Sequence, residues 1–169
     1  MTTTPDLATR YDEAAIEADP KVPIVHIWRD FAATPEQLFR AHTDPGLFAR
    51  WIGPEGMTVE ILAWDATDNG RWRWSGNDGA GNPQYFRGSF HTISPTKIVQ
   101  TFTWEGMPDG VALETLTFED LGDGRTRLHA QSLCDSFEDR DWWISSSGME
   151  VGVHQGYAAI DRMLADGSL

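Results

Sequence analysis

Apolar and polar positions along the chain switch between helical spacing and a period of two. In residues 1–21, Leu7, Tyr11, Ala14, Ala15 and Ala18 lie at helical spacing among acids. This stretch reads as an acidic tail, or as a short helix packed on the domain or on a second subunit. From Val22 to Phe31, β-branched and aromatic residues predict a strand, with Pro23 near its start where proline is tolerated. Thr34, Pro35 and Gln37 then signal a helix start: a capping threonine, proline at the first helical position, and glutamine three residues after the cap. Leu38, Phe39, Ala41 and His42 continue that short helix. Asp44-Pro45 repeats the signal, and Leu47, Phe48 and Trp51 give a second short helix its apolar side before Gly53-Pro54 ends it.

After Gly56 the period becomes two. Strands are predicted over 57–64, 70–75, 84–93, 97–104, 111–119 and 125–133. Trp72 and Trp74 fall on one face of their strand, Arg71 and Arg73 on the other. The connections are short, and Asp123-Gly124 is a strong hairpin signal, so neighbouring strands run antiparallel. Beyond the strands, Ser147 with Glu150 offers a capping box. Met149, Val153, Tyr157, Ile160 and Leu164 make one apolar stripe, and Gly167 marks a stop. The stripe has to be buried, and the sheet is the only large apolar surface available. The predicted fold class is α+β: a curved antiparallel sheet of about seven strands around a long C-terminal helix, with two short helices after the first strand. Residues 22–169 form the domain, behind an acidic N-terminal extension over 1–21.

Charge and composition remove whole classes of function. The 169 residues include 26 Asp and Glu against 13 Lys and Arg, a formal net charge of −13. A nucleic-acid partner needs a basic face, so none is expected, and anionic membranes are disfavoured for the same reason. No apolar run is long enough to insert in a membrane, and Met1-Thr2-Thr3-Thr4 lacks the features of a signal peptide. The single cysteine, Cys134, has no intrachain partner; a cytoplasmic location is the expectation. Cys134 reads as a small buried hydrophobe or, alternatively, as a nucleophile. His26, His42, His91, His129 and His154 show no metal-ligand spacing, so neither a metal nor another cofactor is expected. His154 reads as a flank of the last helix or as an edge of the cavity described below.

Several segments together are recognisable. They are 34–41 (Thr-Pro-Glu-Gln-Leu-Phe-Arg-Ala), Thr43-Asp44-Pro45, 51–57 (Trp-Ile-Gly-Pro-Glu-Gly-Met) and Gly70-Arg71-Trp72-Arg73-Trp74. Further on come Phe86-Arg87-Gly88, Ile93-Ser94-Pro95, Glu105-Gly106-Met107-Pro108, 114–118 (Glu-Thr-Leu-Thr-Phe) and Ser147-Gly148-Met149-Glu150. Over about residues 22–166 the chain resembles the START-like (SRPBCC) superfamily, and within it the subfamily of activator of Hsp90 ATPase homologues (AHSA1-type). The resemblance implies a helix-grip fold with a cavity between helix and sheet. The superfamily includes lipid carriers, hormone receptors, polyketide cyclases, antibiotic-binding resistance proteins and a chaperone cofactor, so fold analogy does not select a function.

A cavity of this kind is walled by inward side chains. The expected ligand-binding residues are Trp51, Trp72, Trp74, Tyr85, Phe90, Trp104, Glu114, Leu116, Met149, Val153 and Tyr157. Trp and Tyr offer flat apolar faces with a polar tip, which suits planar ligands. Glu114 alternates with Leu116 and Phe118; it reads as a structural ion pair with Arg71, Arg73 or Arg87, as a ligand anchor, or as a general base. Trp142-Trp143 precedes the last helix near the expected cavity entrance; two adjacent Trp are not expected to point inward together, so one of them is expected exposed, at a lid or a partner surface. The leading expectation is binding of a small hydrophobic, aromatic or polyketide-like molecule. The alternatives are a cyclase or hydrolase using a cavity carboxylate or histidine, and a chaperone-cofactor-like interaction module. A homodimer is one arrangement these residues allow.

Overall fold

The computed structural model describes residues 8–169. In chain order it contains β1 (Ala15–Ala18), β2 (Ile24–Phe31), α1 (Pro35–Thr43), α2 (Pro45–Trp51), β3 (Thr58–Trp64), β4 (Arg71–Asn77), β5 (Gln84–Ser94), β6 (Lys97–Trp104), β7 (Ala112–Gly122), β8 (Arg125–Leu133), α3 (Phe137–Ser146) and α4 (Met149–Ala165). The eight strands form one antiparallel sheet in the order β1-β2-β8-β7-β6-β5-β4-β3. β2 thus pairs with the last strand, in register from Ile24 opposite Leu133 to Phe31 opposite Thr126.

Local signals place the short helices. The Thr34 hydroxyl accepts from the Gln37 backbone N–H, and the Gln37 side chain accepts from the Thr34 N–H at 2.9 Å, a complete capping box. Asp44 ends α1 and caps α2, accepting from the Leu47 N–H at 3.0 Å. Asp123 and Gly124 both have positive φ, which the β7–β8 hairpin requires.

The inner face of the sheet carries Val25, Ile27, Phe31, Ile98, Phe118, Leu128 and Ala130, packed with Tyr157, Ile160 and Met163 of α4. α4 approaches α2 closely at Gly156, where a Cβ would stand 2.8 Å from the Trp51 carbonyl oxygen. The Trp51 indole N–H donates to the Ala41 carbonyl at 2.8 Å, fixing the α1–α2 corner against the helix.

The outer face is covered at β2 and β8 by the N-terminal segment. Tyr11, Trp28, His26 and His129 stack as one layer. Beneath it, the buried Asp30 carboxylate accepts from Arg127 at 2.8 and 3.1 Å and from the Tyr11 backbone N–H. Burial alone would raise the Asp30 carboxyl, but these hydrogen bonds and the Arg127 and Arg125 charges hold it below its ordinary value.

Three expectations change, and one further element appears. The sheet has eight strands rather than seven. Residues 15–18 form edge strand β1 against β2 instead of a helix, and Leu7 lies outside the described residues. Ser147 does not cap α4: Gly148 occupies that position, and the Ser147 hydroxyl donates to the Trp143 carbonyl while accepting from the Met149 N–H. Residues 137–146 form a helix of their own, capped by Ser136.

At Gly88 the indole of Trp72 lies directly over the neighbouring strand. A Cβ there would be 2.0 Å from the Thr101 carbonyl oxygen and 2.5 Å from Trp72 Cζ2. Gly88→Ala is therefore expected to destabilise the protein by roughly 1–3 kcal/mol. An unchanged urea midpoint would show that this crowding is not real.

Candidate functional site

Between the inner face of the sheet and the helices lies a cavity of about 560 Å³. Seven of the eight Trp residues line it, all but Trp28. β4 contributes Trp72 and Trp74, whose partners across the sheet are Gly88 and Phe86. Trp74 stacks on Phe86 at 4.2 Å between ring centroids. α2 contributes Phe48 and Trp51, α4 contributes Met149, Val153 and Tyr157, and β6 contributes Phe102 and Trp104.

Of the expected residues, the structure brings Trp51, Trp72, Trp74, Trp104, Glu114, Leu116, Met149, Val153 and Tyr157 onto the cavity wall. Tyr85 and Phe90 are not there. Tyr85 sits opposite Ser75 on the outer face, where the Arg73 guanidinium lies over its ring at 4.9 Å. Phe90 is buried in the core, edge-on to Trp64. The inward position of β5 is held by Phe86, which the alternation of β4 and its pairing with Trp74 would have identified. His154 is exposed.

Contrary to the expectation that one of the pair would be exposed, both Trp142 and Trp143 reach the wall, each half-buried. Trp142 stacks parallel to Trp104 at 5.8 Å, and Trp143 meets Phe102 edge-on at 6.0 Å. α3 achieves this by presenting two adjacent positions to two different strand residues.

Glu114 supplies the polar centre. It stands between Gln100 on β6 and Ser132 on β8, which are its direct register partners. Gln100 Nε2 donates to it at 2.8 Å and Ser132 Oγ at 3.2 Å. Gln100 and Ser132 carry no signal of their own in the sequence; only the register joins them to Glu114. The expected arginine partners are absent. Arg71 and Arg87 are exposed, and Arg73 makes a paired contact with Glu105, at 2.7 and 3.0 Å, on the outer face. Inward Trp72 and Trp74 force Arg71 and Arg73 outward. Burial pushes the Glu114 carboxyl above its ordinary range, against the two hydrogen bonds.

The other titratable groups on the wall are uncharged near neutral pH. Tyr157 is pushed up by burial and by the Glu114 charge. Cys134 is pushed up to about 11 by burial and by neighbouring acids, so it is a thiol and not the thiolate a nucleophile needs. His42 is lowered to about 4 by burial. Its Nδ1–H donates to the Leu38 carbonyl at 2.7 Å, which sets the neutral tautomer. No group of three or more metal-ligating side chains occurs among the described residues.

Two buried polar atoms on this wall have no hydrogen-bond partner among the described residues: the indole N–H groups of Trp72 and Trp74. Each costs about 1–3 kcal/mol unless an acceptor meets it.

Residues 32–165 match the family model described as Activator of Hsp90 ATPase homolog 1-like protein. The chain belongs to this family. The family match begins just after β2, so the N-terminal segment, β1 and β2 lie outside it. The fold is similar to that of a Rhodobacter sphaeroides protein, with 26% identity, TM-score 0.78, and 91% and 99% of the two chains covered. A solution structure from Arthrobacter aurescens gives 23% identity and TM-score 0.80 over 90% and 91%. The AHSA1 protein of Silicibacter pomeroyi gives 22% and 0.68 over 85% and 99%. Among curated proteins no sequence relative matches. Family membership supports a ligand-binding or cofactor-like fold and names no ligand. Among the described residues no helix is long and apolar enough to cross a membrane.

Because unfolded histidine titrates near 6.5 and His42 in the fold near 4, the unfolded chain binds the extra proton first. Stability present above pH 6.5 is thus lost as pH falls toward 4, by about 3 kcal/mol from His42. An NMR titration should find the His42 ring unprotonated at pH 5.5; a midpoint near 6.5 would refute the neutral buried ring.

Proposed function

We propose that the protein binds a small, flat, largely apolar molecule, aromatic or polyketide-like, inside this cavity. The observation that carries the reading is the pair of unpartnered indole N–H groups on an aromatic wall. Such donors call for an acceptor on a bound molecule, and the surrounding rings offer stacking surfaces. A volume near 560 Å³ lies within the range of small-molecule sites. The family membership supports a ligand-binding scaffold, and the choice of ligand class comes from the wall.

A second reading draws on Glu114. A carboxyl of raised pKa on a cavity wall suits a general base, as a cyclase or hydrolase would use it. The chaperone-cofactor reading draws only on the family's description.

The wall makes its own reporter, since seven of the eight Trp residues line it. Titration with polycyclic and polyketide-like compounds is expected to quench Trp fluorescence and raise the melting temperature. No response in either readout across such a set would reject the proposal. Trp74→Phe keeps a ring and removes one donor. It should weaken acceptor-bearing ligands roughly tenfold, equivalent to about 1.4 kcal/mol. Equal affinity in the variant would show that this N–H takes no part.

A further inference from the structure

We infer that the molecule held in this cavity carries a positively charged nitrogen, with Glu114 as its counter-ion. The inference rests on the reading that the cavity binds a small aromatic molecule, and narrows that molecule's class.

The charges on the wall are one-sided. Among the described lining residues Glu114 is the only acid, and there is no Lys or Arg. A carboxyl in apolar surroundings either keeps a proton or takes a cation. Here its two oxygens are already met by two donors, Gln100 Nε2 and Ser132 Oγ. That is the hydrogen-bond pattern of an ionised carboxylate, which only accepts. What the site lacks is the positive charge. A ligand cation supplies it, whereas an anionic ligand would face Glu114 with no cation between them.

The rest of the wall agrees. Indole faces attract cations through the ring quadrupole, most strongly where water is excluded. Trp72, Trp74 and Trp104 line the same cavity as Glu114. The net charge of −13 draws cations toward the protein and repels anions. The free N–H groups of Trp72 and Trp74 would take an acceptor on the same molecule. The class is therefore an aromatic amine or quaternary ammonium compound bearing a carbonyl, ether or hydroxyl oxygen.

The pH dependence is distinctive. The titratable groups facing Glu114 across the cavity are Tyr157 on α4, Cys134 after β8 and His42 on α1. Tyr157 and Cys134 titrate well above neutrality and His42 well below it. Glu114 is thus the group on the wall that burial moves toward neutrality. A ligand of fixed positive charge binds the carboxylate form, so its affinity rises with pH below the Glu114 pKa, by up to about tenfold per pH unit. Binding under those conditions releases a proton.

The test uses three naphthyl compounds of one shape: a trimethylammonium, its neutral tert-butyl isostere and a carboxylate. Each is titrated calorimetrically at pH 6 and pH 8 into the wild-type protein and Glu114→Gln. The ammonium compound is expected to bind wild type at least tenfold more tightly than the isostere, with a gap that widens at pH 8. Glu114→Gln should remove the gap and leave the neutral compound within about twofold. Should the variant fail to fold, the wild type's preference for the ammonium compound over its isostere and the carboxylate decides alone. Equal or tighter binding of the neutral or anionic compound to wild type overturns the inference and leaves the cavity reading standing. No binding by any of the three overturns both.

Discussion

A sheet of eight strands is far wider than one helix, and the rest of the molecule follows from that mismatch. Strands lie about 4.8 Å apart, so the sheet spans roughly 34 Å, against a helix diameter of about 10 Å. α4 can therefore cover only part of the inner face. Ile160 and Met163 bury that part, and α1 and α2 close the corner through Leu38, Ala41 and Trp51. The remaining inner face, over β4 to β6, is met only by side chains reaching across from α2 and α3. Large aromatic side chains narrow this space without filling it. The cavity is thus a geometric consequence of the architecture, and its chemistry is set by which inward positions hold rings and which hold Glu114.

The outer face solves a different problem. There the sheet would expose Trp28, His26 and the Asp30–Arg127 pair on β2 and β8. The N-terminal segment covers them, and Arg127 also donates to the Thr9 carbonyl. A buried ion pair contributes little net stability by itself, but removing one partner strands the other charge. The pair therefore acts more as a register pin: Asp30 and Arg127 are direct partners in the β2–β8 ladder. A slip of either strand by one residue would turn its charge onto the inner face, against the core, and leave the other charge without its partner.

Much of this was legible in the chain, for reasons that are local. The capping box at Thr34, the Asp44-Pro45 start and the Asp123-Gly124 hairpin depend on neighbouring residues alone, and each is found where its pattern lies. β6 and β8 likewise occupy the spans their alternation predicts. β1 was not legible, because four residues of Ala-Ile-Glu-Ala become a strand only by pairing with β2. Nor was α3, whose sequence Phe-Glu-Asp-Arg-Asp-Trp-Trp has no apolar stripe of helical period. In the site, parity was the informative quantity. Trp72 and Trp74 were correctly set inward by it. Tyr85 and Phe90, five apart, fall on opposite faces of a regular strand, and Phe86 holds the inward place. The Gln100–Glu114–Ser132 row depends on register across three strands, which no single segment encodes.

α3 shows how the two faces communicate. Lacking an apolar stripe, it cannot be held by ordinary packing along its length. Arg140 on α3 is instead buried and donates to the backbone carbonyls of Asp19 and Val22, in the β1–β2 turn. The Asp19 carboxylate keeps that turn in shape, accepting from the Lys21 and Val22 N–H groups and contacting His26. Two residues beyond Arg140, Trp142 and then Trp143 reach across to Trp104 and Phe102. The helix is therefore gripped by polar bonds to the outer-face segment at one end and by ring stacking on the cavity wall at the other. A shift of the β1–β2 turn would move Arg140, and with it two of the seven Trp residues that shape the cavity. The N-terminal strand thus contributes to the cavity's form through α3, although none of β1's residues lines it.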